Sequence, residues 1–212
     1  MKANNKKSNS SRILVPCRRV LMTLLCALLL GTGGLSAQTE DEPTSDAFRY
    51  LYALAKKNIV GGAEKMPEAD YPYQPTPEVR SFGQLVAHIA DTQYLFCSSI
   101  RNESNPNGED LGPGDPSDAI EQSKSAKADL VAALRAVFAY CDPVFEGLED
   151  AQWGDQVALV GNERAKASPL MLTLVHLWEH YGNMVTYLRL RGIVPPSSES
   201  RPTSAAAEEG SS

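Results

Sequence analysis

Apolar residues recur three and four positions apart through most of the chain beyond residue 43, the spacing of one helical face, and no stretch alternates convincingly as a strand. The first helix is expected from about Thr44 to Ala63, with Phe48, Leu51, Leu54 or Ala55, and Ile59 inward. "YPYQPTPE" then interrupts it, because each proline removes a donor and pushes the residue before it toward extended backbone. Ser81 and Gln84 form a capping box that opens a second helix, from about Phe82 to Asn102. "ESNPNGEDLGPGDP" is a loop by composition. Asp115 and Pro116 suit the first positions of a third helix, which turns Ile120, Leu130, Val131, Leu134, Phe138 and Cys141 inward and ends or kinks at Pro143. Ser168 and Pro169 open a fourth in the same way, and Gly192 follows its arginine-rich last turn as a stop.

Four amphipathic helices of about twenty residues bury their stripes most simply as an all-α four-helix bundle. A helix of that length is about 30 Å long, and a fourteen-residue loop can stretch past about 40 Å. The third helix can therefore run parallel to the second, although the sequence alone does not force it. The bundle spans residues 44–194, and residues 195–212 form a polar Pro/Ser/Ala-rich tail expected to be disordered.

The first 37 residues stand apart. A basic start is followed by "VLMTLLCALLLG" and the small-residue string "GTGGLSA", the layout of a secretory signal cleaved after Ala37. Its apolar core is short for a membrane span, which places an uncleaved anchor second to cleavage. "RRVLM" also has the paired arginines of twin-arginine signals, so the export route stays open. Lys2, Lys6, Lys7, Arg12, Arg18 and Arg19 are six of the 20 Lys and Arg, and none of the 26 Asp and Glu lies there. The mature chain thus carries 14 basic against 26 acidic residues, a net charge of −12. Such a chain repels a phosphate backbone, which argues against nucleic acid as a partner. The expected location is the periplasm, with no stable membrane insertion after cleavage.

The chain has three histidines, and two of them, His176 and His180, are four residues apart in "LVHLWEHYGNM". Residues at that spacing lie one above the other on a helix, so both rings can direct nitrogens at one point. His88, in "QLVAHIAD", shares its face with Leu85, Ile89, Thr92 and Leu95 and is expected to point inward as well. Facing helices can bring the three rings together. Three neutral imidazoles with a fourth position open are a known catalytic zinc arrangement. A single inward histidine is more often a core residue than a ligand. Here every histidine of the chain falls in one constellation, which favours a metal site.

His176, Glu179 and His180 also fit the H-x-x-E-H pattern of a class of metallopeptidases, with Glu179 as general base and a downstream acid as third ligand. Past His180 only Glu199, Glu208 and Glu209 remain, all in the polar tail, and His88 would then have no role. Glu179 is better read as a solvated carboxylate or one placed just outside the ligand set.

"FGQLVAHIADTQYLFC" together with "LVHLWEHYGNMVTYLRLRGIVPPSS" resembles the DinB-like superfamily of small helical metalloproteins, over about Asp46 to Ser198. "YPYQPTPEVRSFGQL" is similar to a turn that recurs before the family's second helix. The resemblance implies an up-down-down-up bundle with His88, His176 and His180 as ligands to one divalent metal ion, zinc or nickel most often. It further implies reactions such as thiol S-transfer, with bacillithiol, mycothiol or glutathione, and related isomerisations of small molecules. Export would remove a largely cytoplasmic thiol partner, which favours hydrolysis or metal binding without turnover. Homodimerisation is common for such bundles and is not marked in this sequence.

Asp91, one turn past His88, and Asn183 and Tyr187, along the His180 face, are candidates to support the ligands or touch substrate, or else ordinary interhelical hydrogen bonders. Trp178 and Tyr181 are rotated off the ligand face and are expected to pack. Cys17 and Cys26 leave with the signal. Cys97 lies nine residues after His88, half a rotation away and about 13 Å along the axis, so it is not a ligand. If the second and third helices are parallel, as the resemblance implies, Cys97 and Cys141 share one end of the bundle. An oxidising compartment then allows a disulfide, and two buried thiols are the alternative.

Overall fold

The computed structural model describes residues 41–108 and 119–199. The signal-like segment, Cys17, Cys26, Asp115, Pro116 and residues 200–212 lie outside the described residues.

Helix α1 (Pro43–Lys65) begins with a proline, has Asp46 in its first turn and Lys65 in its last, and so places charges that complement its dipole. Its buried stripe includes Tyr52, Ala55, Ile59, Gly62 and Ala63. Leu51, expected inward, is exposed. One residue is a 100° rotation, and the spacing from Phe48 to Tyr52, Ala55 and Ile59 sets the true face. Helix α2 (Phe82–Arg101) opens on the expected capping box, with Gln84 N–H on Ser81 Oγ at 3.2 Å and Ser81 N–H on Gln84 Oε1 at 2.9 Å. It ends at Asn102, whose left-handed φ of 54° suits a short polar side chain.

The expected third helix is two. The short α3 (Ala119–Ser123) is separated by three residues from α4 (Lys127–Glu146). The start of α3 is fixed from another helix: the Asp91 carboxylate on α2 accepts the N–H groups of Ile120 at 3.0 Å and Glu121 at 3.1 Å. Its end carries Ser123, whose hydroxyl bonds back to Ala119 O and competes with continued helix. Pro143 sits inside the last turn of α4, which runs three residues past it.

A second difference is the hairpin of β1 (Gln156–Leu159) and β2 (Asn162–Ala165), antiparallel, with Leu159 opposite Asn162. The joining residues Val160 and Gly161 both have positive φ, as a tight two-residue turn requires. Four-residue strands joined by Val-Gly carry none of the usual Asn-Gly signal, which explains the missed element. Val157 and Leu159 are buried, and Ser99 donates a hydrogen bond to Ala158 O, so the hairpin closes over the end of α2.

Helix α5 (Ala167–Leu190) starts one residue before Ser168. It ends on left-handed Gly192, with Gly192 N–H on Arg189 O and Ile193 N–H on Leu188 O, the paired bonds of a Schellman stop. Pro195, the first residue of the expected tail, is buried, and a 3₁₀ turn (Pro196–Ser198) follows it. Ser197 N–H bonds Tyr181 Oη at 3.0 Å, and Pro196 packs on Gly61. The packed domain therefore extends past 194.

Contacts fix the helix directions. Arg49 meets Leu148 O, Lys56 meets Asp142 and Lys127 meets Glu64 O, so α1 and α4 are antiparallel. Gly83 lies against Leu130 near both starts, and Cys97 joins Cys141 near both ends, so α2 and α4 are parallel. Phe82 against Tyr187 and Phe96 against His176 make α5 antiparallel to α2. Ile59, Phe82, Leu134, Phe138, Leu170 and Leu177 are all fully buried between these helices, each worth about 1.5–3 kcal/mol of transfer free energy. Among the described residues no helix is long and apolar enough to cross a membrane.

Candidate metal centre

Antiparallel α2 and α5 place their histidines at one level. His88 projects from the second turn of α2, and His176 and His180 from the middle of α5, one turn apart. His176 Nε2 lies 3.2 Å from His88 Nε2 and 2.9 Å from His180 Nε2, and one nitrogen from each ring falls within 4.8 Å of the others. Zinc–nitrogen bonds of about 2.0–2.1 Å at tetrahedral angles would hold nitrogens about 3.3 Å apart, close to both observed separations.

The donor set is suited to a cation. A neutral imidazole offers at Nε2 either one lone pair or one N–H. Three such atoms at one point cannot all find hydrogen bonds in each other, whereas one cation accepts a lone pair from each. The rings are also held neutral. Burial, then Arg80 and His180, lower the His88 pKa to about 4. Burial, then His180, His88 and Arg80, lower that of His176 to about 3. Burial likewise lowers that of His180, against the opposing charge of Glu179. The outer nitrogens are less well served. Asn183 reaches His180 Nδ1 at 3.3 Å, but the buried Nδ1 atoms of His88 and His176 have no hydrogen-bond partner among the described residues.

The other singled-out residues divide. Asn183 touches a ligand ring. Glu179 is exposed and acts on His180 only through its charge. Asp91 is fully buried, and besides α3 it accepts Asn107 Nδ2 at 2.7 Å. Tyr187 donates to Arg80 O at 2.6 Å. Trp178 and Tyr181 pack edge to face at 6.0 Å, as expected of residues off the ligand face. Cys97 and Cys141 are joined, with Sγ atoms 1.98 Å and Cα atoms 5.5 Å apart.

Beside His180 opens a pocket of about 440 Å³, lined among others by Thr76, Glu78, Arg80, Asn183 and Tyr187. Arg80 is the residue that sequence reasoning missed. It follows a proline-rich turn, outside any helical period, and nothing local marks it as close to histidines in distant parts of the chain.

A comparison with curated proteins finds no match. Solved structures share the fold. A DinB-like protein from Bacillus cereus has a TM-score of 0.56 at 13% identity, over 71% of this chain and 95% of its own. A DinB-like protein from Bacillus subtilis has 0.54 at 20%, over 73% and 99%. A mycothiol-dependent maleylpyruvate isomerase has 0.54 at 15%, over 66% of this chain and 60% of its own. The sequence pattern of the DinB superfamily matches residues 52–184, a span that takes in all three histidines, and the chain belongs to that superfamily.

Proposed function

We propose that this protein is an exported enzyme that holds one divalent metal ion, zinc or nickel, through His88, His176 and His180, and acts on a small molecule by hydrolysis or thiol transfer. The convergence of three neutral Nε2 atoms carries the reading. A metal ion there supplies Lewis acidity, which lowers the pKa of a thiol or a water molecule that reaches it. The chain's own residues do the rest. Burial, the largest cause, keeps the imidazole lone pairs available. Asn183 orients the His180 ring, and the neighbouring pocket admits the reactant. Likeness to the isomerase favours small-molecule chemistry with a thiol, and the Cys97–Cys141 bond favours an oxidising compartment such as the periplasm.

A second reading is a metal-binding module without turnover. It is favoured because the metal-competent cluster contains no carboxylate to serve as general base. Elemental analysis of the purified protein, beside His88→Ala and His180→Ala, tests the site. Near-stoichiometric metal lost in both variants is expected, and metal-free wild type after reconstitution with zinc or nickel would refute both readings. Turnover of esters, amides or thiol conjugates that disappears with chelator then separates enzyme from module.

A further inference from the structure

We propose that the pocket beside His180 selects small molecules bearing a carboxylate, with Arg80 as the anchor that turns the rest of the molecule toward the three histidines. The proposal rests on the metal-site reading above and adds to it a substrate class.

Arg80 is held in place from two directions. Its carbonyl accepts the Tyr187 hydroxyl at 2.6 Å, which ties its backbone to the helix that carries His176 and His180. Its Nε bonds Glu121 Oε2 at 3.1 Å, and Glu121 is itself fixed, its N–H bonded to Asp91 Oδ2 one turn along α2 from His88. Both ligand-bearing helices thus brace one arginine. The side chain is itself exposed, so its outer edge faces the pocket and solvent. The brace uses only Nε. The guanidinium pairs with Glu121 along that edge, its two terminal nitrogens make no hydrogen bond among the described residues, and Arg80 lines the pocket that His180 also lines.

A planar guanidinium engaged on one edge presents its remaining N–H groups to a planar two-oxygen acceptor. A carboxylate suits this site better than a phosphate. The pocket offers one cation, and Glu78 on the same wall opposes a dianion more than a monoanion. A volume of about 440 Å³ suits a small molecule. The chain as a whole is acidic, so attraction of an anion here has to come from this local cation.

The test is calorimetric titration of the zinc-loaded protein with mercaptopropionate and, as an uncharged probe of the same length, mercaptopropanol. Metal content is measured on the same samples, and inorganic phosphate serves as a third probe. Wild type should bind the acid about tenfold more tightly than the alcohol, the scale of a charge-assisted hydrogen-bond pair. Arg80→Gln should retain its metal and lose that preference, and Arg80→Lys should keep part of it. Equal binding of both probes by wild type, a preference that survives in Arg80→Gln, or tighter binding of phosphate than of the acid would overturn the proposal. Failure of the metal-site reading would show separately, as protein that carries no zinc. The anchor is then read from propionate binding, which Arg80→Gln should weaken if the proposal holds and leave unchanged if it does not.

Discussion

Removing the Cys97–Cys141 bridge should lower stability without emptying the site. The bridge closes a loop with a sequence separation of 44, and in the chain-entropy description such a closure restricts the unfolded chain by about 4 kcal/mol at 25 °C. Both sulfurs are fully buried among α2 and α4, so a Cys97→Ala/Cys141→Ala protein also forfeits some packing. For a domain of this size each kcal/mol moves Tm by about 2–4 °C, which predicts a fall of about 8–16 °C. Thermal melts followed by circular dichroism, with and without reductant, give the number. Thiol titration of the unreduced, denatured mature chain should find no free thiol. Metal content should stay at the wild-type level, because Cys97 faces away from His88 on α2. A Tm change under about 2 °C on reduction would refute the reasoning. It would mean either an absent bridge or an unfolded chain already too restricted for closure to matter.

Asp91→Ala should cost about 2–4 kcal/mol in urea denaturation, because it removes the buried acceptor of the Ile120 and Glu121 N–H groups. A loss below about 0.5 kcal/mol would show that water replaces the carboxylate. Asp150 accepts the N–H groups of Thr44 and Ser45 at the start of α1, and although burial works against it, these bonds bring its pKa down to about 2. A carboxyl lowered on folding contributes stability above its unfolded pKa of about 4, and that contribution fades as pH falls toward 2. Asp150→Ala should therefore lower Tm at neutral pH, and its gap to wild type should narrow on acidification; a gap that holds constant down to pH about 2 would contradict the assigned cap.

What could be read from the sequence followed the range over which each feature is encoded. The Ser81–Gln84 box and the His176–His180 pair are set by spacings of three and four residues, and both occur where expected. The inward turn of His88 was legible from the apolar neighbours on its face. The start of α3 was not, since it is held by a carboxylate 29 residues upstream. The hairpin is too short for its alternation to stand out. Leu51 and Tyr52 show a finer limit, because two neighbouring apolar residues cannot be ranked until the partner helix is known. Arg80 shows the coarsest one: an arginine in an irregular turn is placed by tertiary structure alone.

Helix α2 is fastened on opposite sides, by the cysteine bridge toward α4 and by the histidine cluster toward α5. A slip of one residue along its axis would move it by about 1.5 Å and rotate it by about 100°, breaking both attachments together. Its register is thus set by two contacts on opposite faces, one covalent and one between ring nitrogens.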